Sequence, residues 1–415
     1  MKRLLMVAYH FPPLAGSSGI QRTLRFVQHL PALGWQPIVL TASPFAYERT
    51  AHDLDADIPA QTVVRRAFAL DTARHLSIGG RYIGAMSRPD RWVSWRFDGV
   101  RVGRKLIREF RPDAIWSTYP IATAHLIGAK LAQRSGLPWV ADFRDPMAQD
   151  GYPADPDTWR QFRQIEEHAL LHAVATTFTT PGAARVYRER YPASADQVHV
   201  IENGYDEESF SGLAPQEPGA TPLSSSATTL LHSGIVYPQE RDPTQLMEAL
   251  RQLDAAGVIT PARLKIRFRA AVQEGLIRKL AADRGVQSYV ELMPPIDYKD
   301  ALAEMLRADG LLLMQASDCN EQIPAKVYEY LRARRPILCL SDPTGDTIGL
   351  LRSAGLNAFA RLDNASEIAA LVQRFLNSQN TRTDFMPRDE AVVKASRKGR
   401  ARELAVLLDD IVDRA

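Results

Sequence analysis

Short apolar runs alternate with segments of helical periodicity along nearly the whole chain, and this alternation restricts the fold more than any other feature. Repeated strand–helix units favour parallel sheets covered by helices over helix bundles and β-sandwiches. No run approaches the ~18 apolar residues that a membrane-spanning helix needs. In the first half, the pattern predicts strands at residues 3–9, 36–41, 114–118, 138–142, 175–180 and 197–201.

A segment rich in Gly, Pro and Ser interrupts the alternation at residues 211–226. A hydrophobic core cannot use this composition, so the segment predicts a domain junction or a long surface loop. The alternation then restarts, with predicted strands at residues 228–233, 264–269, 289–293, 310–315 and 336–340.

The length of 415 residues suits two domains with separate cores. We predict two Rossmann-like, doubly wound α/β domains that face a central cleft, at residues 1–202 and 203–387. Residues 388–415 contain an amphipathic pattern and predict a closing helix that packs back toward the first domain.

Composition excludes several classes of protein. The two cysteines, Cys319 and Cys339, form no CxxC pair, which argues against a disulfide framework and a thiolate zinc site. With 51 basic and 48 acidic residues, the net charge of +3 is too small to indicate nucleic-acid binding. The apolar run at the start ends at Tyr9, too early for a signal peptide. We expect a cytoplasmic protein that is soluble or peripheral to the inner face of the membrane.

Several ligand-binding signatures are also missing from the sequence. Neither first strand of a predicted domain is followed by GxGxxG, and the chain contains no GxxxxGK[ST] and no GxSxG. NAD enzymes, P-loop NTPases and α/β-hydrolases are therefore disfavoured. The carboxyl ends of the predicted strands remain the place where a ligand is expected.

The first candidate site is the run of small residues Gly16, Ser17, Ser18 and Gly19, between the first strand and the following helix. Small residues let the backbone approach a ligand, and the N–H groups at a helix start favour an anion. A flexible strand-to-helix turn is the alternative explanation.

The second candidate contains Glu321 and Glu329, on either side of Pro324. Proline suits the first helical turn, so Glu321 is predicted in the loop before a helix and Glu329 inside it. Two carboxylates placed in this way can accept hydrogen bonds from sugar hydroxyls. The alternative is an ordinary surface pair between Lys326 and Glu329 at i, i+3 spacing.

The third candidate is the charged run Asp142, Arg144 and Asp145, where a predicted strand leaves its sheet. Charges at the carboxyl end of a strand face the predicted cleft. A structural Arg–Asp pair that braces the loop is the alternative.

Residues 65–111 contain twelve basic and four acidic residues, so most of the positive charge lies in one patch. The apolar residues that tend toward one face of a predicted helix in this patch are Phe97, Val100, Gly103, Ile107 and Phe110, and the aromatic residues just ahead of that helix are Tyr82, Trp92 and Trp95. Aromatic residues beside cations suit an anionic membrane surface. A core-packed helix with a solvated basic face is the alternative.

Taken in order, these segments resemble the retaining glycosyltransferases of the GT-B fold, specifically glycosyltransferase family 4 (group 1). The resemblance covers most of the chain, and its most specific part is the pair Glu321 and Glu329, which are separated by seven residues. The form Asp-Phe-Arg-Asp-Pro146 resembles a subgroup that assembles surface polysaccharides. Further segments that carry the resemblance are 11–19, 136–146, 200–206, 232–234 and 241–243.

The resemblance implies that the second domain binds a nucleotide sugar and the first binds a glycan or lipid-linked acceptor, without a metal or other cofactor. Glu329 would hold the ribose, Glu321 would face the donor sugar, and Arg241 would neutralise the diphosphate. Glu321, Arg144 and Asp145 would be catalytic. The remaining predicted donor-binding residues are Gly16, Ser17, Ser18, Gly19, Asn203, Gly204, Gly234 and Lys326.

Two departures from the family pattern keep other functions open. Ile235 stands where the family often has an arginine, so Lys326 or Arg22 would have to supply that charge. Arg144 stands where many members have a histidine. The alternatives are a GT-B-type sugar-nucleotide epimerase and a non-catalytic scaffold of a polysaccharide assembly.

Overall fold

The computed structural model describes residues 1–17, 19–213, 223–224, 226–378 and 382–414. The chain separates into two compact units. The first unit consists of Met1–Asn203 together with Arg397–Ala415, and the second of Gly204–Ser396. Both have the parallel α/β architecture that the sequence predicts.

The first unit is built on a seven-stranded sheet with the order β3-β2-β1-β4-β5-β6-β7. Every neighbouring pair is parallel. The six strands predicted for this half are all present, and β3 is an additional edge strand. The strands are β1 (Lys2–Val7), β2 (Trp35–Ala42), β3 (Val63–Ala67), β4 (Ala114–Thr118), β5 (Trp139–Arg144), β6 (Ala175–Phe178) and β7 (Val198–Val200).

The second unit has a six-stranded parallel sheet with the order β10-β9-β8-β11-β12-β13. All five predicted strands are present, and β13 is a short addition at the edge. The strands are β8 (Thr228–Ser233), β9 (Leu264–Arg269), β10 (Val290–Met293), β11 (Gly310–Met314), β12 (Ile337–Leu340) and β13 (Phe359–Ala360).

Helices connect the strands, and local sequence signals set several of their ends. Asp155 caps α5 by accepting from the Thr158 N–H, and Gly136 ends α4 in a left-handed conformation with φ of 72°. The helices are α1 (Gly19–His29), α2 (Thr72–His75), α3 (Trp95–Phe110), α4 (Thr123–Ser135), α5 (Pro156–His172), α6 (Pro181–Arg190), α7 (Thr244–Ala255), α8 (Glu274–Asp283), α9 (Tyr298–Arg307), α10 (Lys326–Ala333), α11 (Asp346–Ser353), α12 (Ala365–Asn377), α13 (Asp389–Lys394) and α14 (Arg397–Asp413).

The closing helix α14 belongs to the first unit, whereas α13 belongs to the second. Leu404 and Leu408 of α14 are fully buried in the same core as Leu24 and Val27 of α1. Burial of each such side chain contributes about 1.5–3 kcal/mol, which holds the C-terminal helix on the first sheet.

In each sheet the chain changes direction between two adjacent strands: β1 and β4 in the first unit, and β8 and β11 in the second. Open α/β sheets bind ligands beyond the carboxyl ends of the strands at this point. Gly16 follows β1, and Gly234 follows β8. The sheet order therefore places a candidate loop at the switch point of each unit.

Candidate functional site

In the first unit, hydrogen bonds hold the loop of small residues that follows β1. The Ser17 hydroxyl lies 3.0 Å from Nδ1 of His10 and accepts from the Gly19 N–H at 3.2 Å. Gly16 has φ of 79°, a conformation that favours glycine. Ser18 lies outside the described residues. Ser17 therefore connects this loop to His10 and to the start of α1.

Gly19 of the first candidate and Arg144 of the third lie close together in the first unit. A Cβ atom at Gly19 would lie 2.3 Å from Nδ1 of His10 and 3.0 Å from Nη1 of Arg144, so only glycine fits. Arg144 has φ of 65°, and its guanidinium donates to the Tyr119 carbonyl at 3.2 Å. Burial, and then the charge of Arg144, lowers the pKa of His10 to about 4, so the imidazole is neutral at pH 7.

Asp142 lies in the core and does not face a ligand. Its carboxylate accepts from Nε and Nη2 of Arg22 at 3.0 and 2.7 Å, and from the hydroxyls of Thr118 and Thr177 at 2.7 and 2.6 Å. Burial alone would raise the pKa of Asp142, but Arg22 and Thr177 lower it below its usual value. The charge of Arg22, which the sequence offered as a substitute for the missing cation, is therefore paired with a buried carboxylate.

The other charge of this run, Asp145, is exposed and accepts from the Thr179 hydroxyl at 3.3 Å. In this run Asp142 is therefore buried and structural, whereas Arg144 and Asp145 lie at the end of the sheet. A structural Arg–Asp pair does exist, but its arginine comes from α1 and not from the same run.

The predicted pair Asn203 and Gly204 marks the border of the two units. The Asn203 carbonyl accepts from Nε of Arg400 at 3.1 Å, and Arg400 also forms an ion pair with Glu202. Both contacts lie within the first unit. Helix α14 therefore fixes the end of that unit where the chain leaves it.

In the second unit, three predicted donor-binding residues meet at the end of β8. Gly234 has φ of 107°, and a Cβ atom there would lie 3.1 Å from Nζ of Lys326. The same Nζ lies 3.3 Å from Nε2 of His232. Arg241 donates to the Ile235 carbonyl at 2.6 Å and lies over the Tyr237 ring at 5.0 Å from its centroid.

The cations of this cluster are not neutralised by the protein. Within the described ranges, neither Lys326 nor Arg241 has a carboxylate oxygen within 4 Å. Burial, and then the charge of Arg241, lowers the pKa of Lys326 to about 7, against a smaller opposing effect of Glu329. Burial and Lys326 also lower the pKa of His232 well below its usual value. An anion placed here would relieve this repulsion.

Glu329 lies in the first turn of α10, and its Oε1 accepts from the Tyr298 hydroxyl at 2.7 Å. The i, i+3 ion pair with Lys326 that the sequence allowed does not form. Glu321 is exposed in the loop before α10, as predicted. No group of three or more His, Cys, Asp or Glu side chains is placed to hold a metal in the part of the chain that the structure describes.

Tyr298 was not predicted from the sequence, and His232 entered only as part of the segment 232–234 that carries the resemblance. Tyr298 begins α9 after β10, and His232 lies near the end of β8. Both follow from strand order, because the carboxyl ends of parallel strands gather at one edge. Polar residues in the last positions of each predicted strand and in the loop that follows it are the signal that points to both.

The architecture and the edge clusters can be set beside known structures. Sucrose-phosphate synthase from Thermosynechococcus elongatus is 13% identical, with a TM-score of 0.60 and all of both chains covered. Anabaena HepE in complex with UDP and glucose is 14% identical, with a TM-score of 0.61, 99% of this chain and 100% of that chain covered. The lipopolysaccharide galactosyltransferase WaaB is 10% identical, with a TM-score of 0.59 and 98% and 99% covered. The fold is that of the GT-B glycosyltransferases.

A family model gives a second, independent result. Residues 18–204 match the model of the glycosyl transferase 4-like domain. This range corresponds closely to the first unit without α14, so the first unit contains that domain. No curated protein matches the chain. The resemblance predicted from the sequence motifs is thereby confirmed for the GT-B fold and for the family 4-like domain.

Proposed function

We propose that this protein is a glycosyltransferase that moves a sugar from a nucleoside diphosphate sugar to a hydroxyl of a glycan or lipid-linked acceptor, with retention of configuration. We assign it to the synthesis of cell-surface polysaccharides on the inner side of the membrane. The second unit would bind the donor and the first unit the acceptor. Support comes from the GT-B fold, from the family 4-like domain and from HepE, whose structure contains UDP.

One observation carries the proposal: Lys326 and Arg241 lie together beside Gly234, and no carboxylate of the described residues pairs with either. A donor diphosphate would supply the missing negative charge. Its departure creates further charge, which two fixed cations would stabilise without a metal ion. The main catalytic contribution would thus be stabilisation of the leaving group.

The other site residues would act around this centre. Glu329, held by Tyr298, would accept the ribose hydroxyls, and Glu321 in the preceding loop would contact the donor sugar. Gly16 and Gly19 would allow the first loop to approach the phosphates. Arg144 and Asp145 would act on the acceptor side, with Arg144 in the position that many relatives fill with histidine.

Donor binding is tested by calorimetry with Glu329→Ala and a panel of nucleoside diphosphate sugars. We expect the variant to lose at least about 1.5–3 kcal/mol of binding free energy, the usual value of hydrogen bonds to a charged group. Glu390→Ala is the matched control, since Glu390 is an exposed residue on α13 of the same unit. Unchanged affinity in Glu329→Ala would refute the assignment.

The same panel separates transfer from the two alternatives. An epimerase would convert the donor sugar in the absence of any acceptor. A scaffold would show no stabilisation, whereas a ligand at 100 times its Kd stabilises the folded protein by about 2.7 kcal/mol. For an active transferase, the anomeric signals of the product in NMR report retention, and activity that survives EDTA supports a metal-independent reaction.

A further inference from the structure

A long groove runs over α4 of the first unit, between α3 and α5. It consists of two adjoining cavities of about 820 and 550 Å³. Both volumes lie in the range of ~300–1,000 Å³ that is typical of small-molecule sites. The cavities share the lining residues Arg96, Phe97, Leu126, Ala129 and His168, so they form one continuous depression.

Two glycines of α3 let this helix pack closely against α4, beneath the groove. A Cβ atom at Gly99 would lie 2.6 Å from Cδ1 of Ile127, and one at Gly103 would lie 2.5 Å from Cδ1 of Leu131. Helices α3 and α4 therefore pack closely through Trp95, Gly99, Gly103 and Leu106, the buried residues of α3. Phe97 lies outside this helix–helix contact and is 73% exposed.

The outer cavity is strongly cationic. Its lining contains no carboxylate. Arg101 is paired with Asp98 at 2.6 Å, but Arg104, Arg108 and Arg134 have no acidic partner within 4 Å among the residues described. The six cations of the lining are Arg96, Arg101, Arg104 and Arg108 of α3, with Lys130 and Arg134 of α4.

The inner cavity is mainly apolar and contains an unpaired polar atom. His125 lines it and is 1% exposed, and its Nε2 has no hydrogen-bond partner, while Nδ1 lies 2.8 Å from the Ser117 hydroxyl. Buried polar atoms in native proteins rarely lack a hydrogen-bond partner. The apolar residues of this cavity are Ala85, Pro89, Val93, Phe97, Leu126, Ala129, Trp139 and Ile165.

We propose that this groove binds a single anionic phospholipid at a bilayer surface. The phosphate would lie against Arg104, Arg108 and Arg134, and part of the lipid chain would enter the apolar cavity. A nucleic acid or an acidic protein would match the cationic wall but leave the apolar floor empty, whereas a neutral apolar ligand would leave the arginines unpaired. Charge and polarity together therefore favour a molecule that has both an anionic head and an apolar tail.

The inference does not depend on the proposed donor site, since the groove lies in the first unit and Lys326 and Arg241 in the second. It also extends the membrane contact predicted for residues 65–111. Helix α4 contributes two cations and α5 contributes His168, and neither helix belongs to that segment.

The first experiment measures sedimentation of the full chain with vesicles of phosphatidylcholine, with and without phosphatidylglycerol. We expect binding only to the anionic vesicles and a loss of binding as salt rises. Each basic residue at an anionic surface contributes a factor of about five, so Arg104→Glu with Arg108→Glu should weaken binding on the order of 30-fold or more. The matched control is Lys105→Glu, which reverses one charge on α3 outside the groove lining and is compared with Arg104→Glu alone.

The second experiment distinguishes a lipid site from a charged surface. Dihexanoyl phosphatidylglycerol below its micellar concentration should bind saturably by calorimetry, whereas inorganic phosphate should not compete at equal concentration. Ala129→Trp, which adds bulk to the floor that both cavities share, should abolish this binding without a change of charge. If Ala129→Trp does not fold, Phe97→Ser tests the same apolar contact at an exposed position.

Three outcomes would overturn the inference: equal loss in the Lys105 control, displacement by phosphate or RNA, or full binding by the Ala129 and Phe97 variants. Calorimetry with nucleoside diphosphates on the same variants separates this test from the proposed function. Loss of lipid binding with intact nucleotide binding concerns the groove alone, and the reverse result concerns the donor site alone.

Discussion

The two units share one topology, yet they treat charge at their switch points in opposite ways. In the first unit Asp142 forms a buried ion pair with Arg22, and Arg144 donates to a backbone carbonyl. In the second unit Lys326 and Arg241 lie together without a carboxylate among the described residues. At the same edge of the sheet, the first unit thus contains a buried ion pair, whereas the second contains two neighbouring cations.

The largest effect should follow from removing the buried ion pair between Asp142 and Arg22. Asp142→Asn leaves Arg22, which is 2% exposed, without a counter-charge. Removal of one partner of a buried ion pair costs about 3–5 kcal/mol, and we expect a loss of this size in the free energy of unfolding. Urea denaturation followed by circular dichroism measures it.

Asp157→Asn is the comparison for this prediction, because Asp157 pairs with Arg88 and Arg160 at a more exposed position. Surface pairs contribute about 0–1 kcal/mol, so this variant should lose little stability. If both variants lose the same amount, Asp142 is not a special support of the first sheet.

A second prediction concerns the anion site. Lys326→Met removes one of two like charges and keeps the apolar part of the side chain, so the stability of the apo protein should stay the same or rise. Affinity for a nucleoside diphosphate should fall by about 1.5–3 kcal/mol, the value of a charged hydrogen bond. Calorimetry and thermal unfolding of the same sample give both quantities.

Lys279→Met serves as the control, since Lys279 is exposed on α8 of the same unit. It should change neither quantity measurably. A marked loss of stability in Lys326→Met with unchanged nucleotide affinity would show that Lys326 is structural, like Asp142 in the first unit.

The smallest expected effect is a dependence on pH. The pKa of Lys326 is lowered to about 7 in the folded protein from 10.5, so between these values the unfolded chain holds a proton that the folded chain has lost. Stability from this group therefore rises as pH increases from about 7 to 10.5. An anion favours the charged lysine, so its affinity should fall over the first part of the same range, by up to about tenfold per pH unit.

Calorimetry at pH 8 in buffers of different ionisation enthalpy measures the accompanying proton uptake. We expect up to one proton per nucleoside diphosphate bound, and none in Lys326→Met. Equal uptake in both proteins would show that another group titrates.

Most of the sheet framework could be predicted because a buried parallel strand must be apolar on both faces. Strand β3, which contains Arg65 and Arg66, breaks that rule, since an edge strand keeps one side open to solvent. Strand β13 has only two residues, Phe359 and Ala360, too few for any periodic signal. The two strands that the sequence did not predict, β3 and β13, are thus both edge strands.

In the candidate site, too, local features could be predicted and contacts between remote segments could not. The register of Glu321, Pro324 and Glu329 predicted a loop followed by a helix, because those positions are close in sequence. Lys326 does not pair with Glu329 but lies beside Gly234 and His232. This arrangement depends on the packing of α10 against the end of β8, almost a hundred residues away in sequence. The commitment of Arg22 to Asp142, 120 residues away, is equally non-local.

By itself, the sequence determined the fold class, the division into two α/β halves and the candidate segments, since apolar periodicity and local motifs act over a few neighbouring residues. Only the tertiary structure decided which charges are paired and which have no carboxylate partner among the described residues. It also decided that Phe97 is exposed and that cations of α3 and α4 surround one groove. Charge balance and cavities depend on distances between remote segments, which packing of the sheets and helices sets.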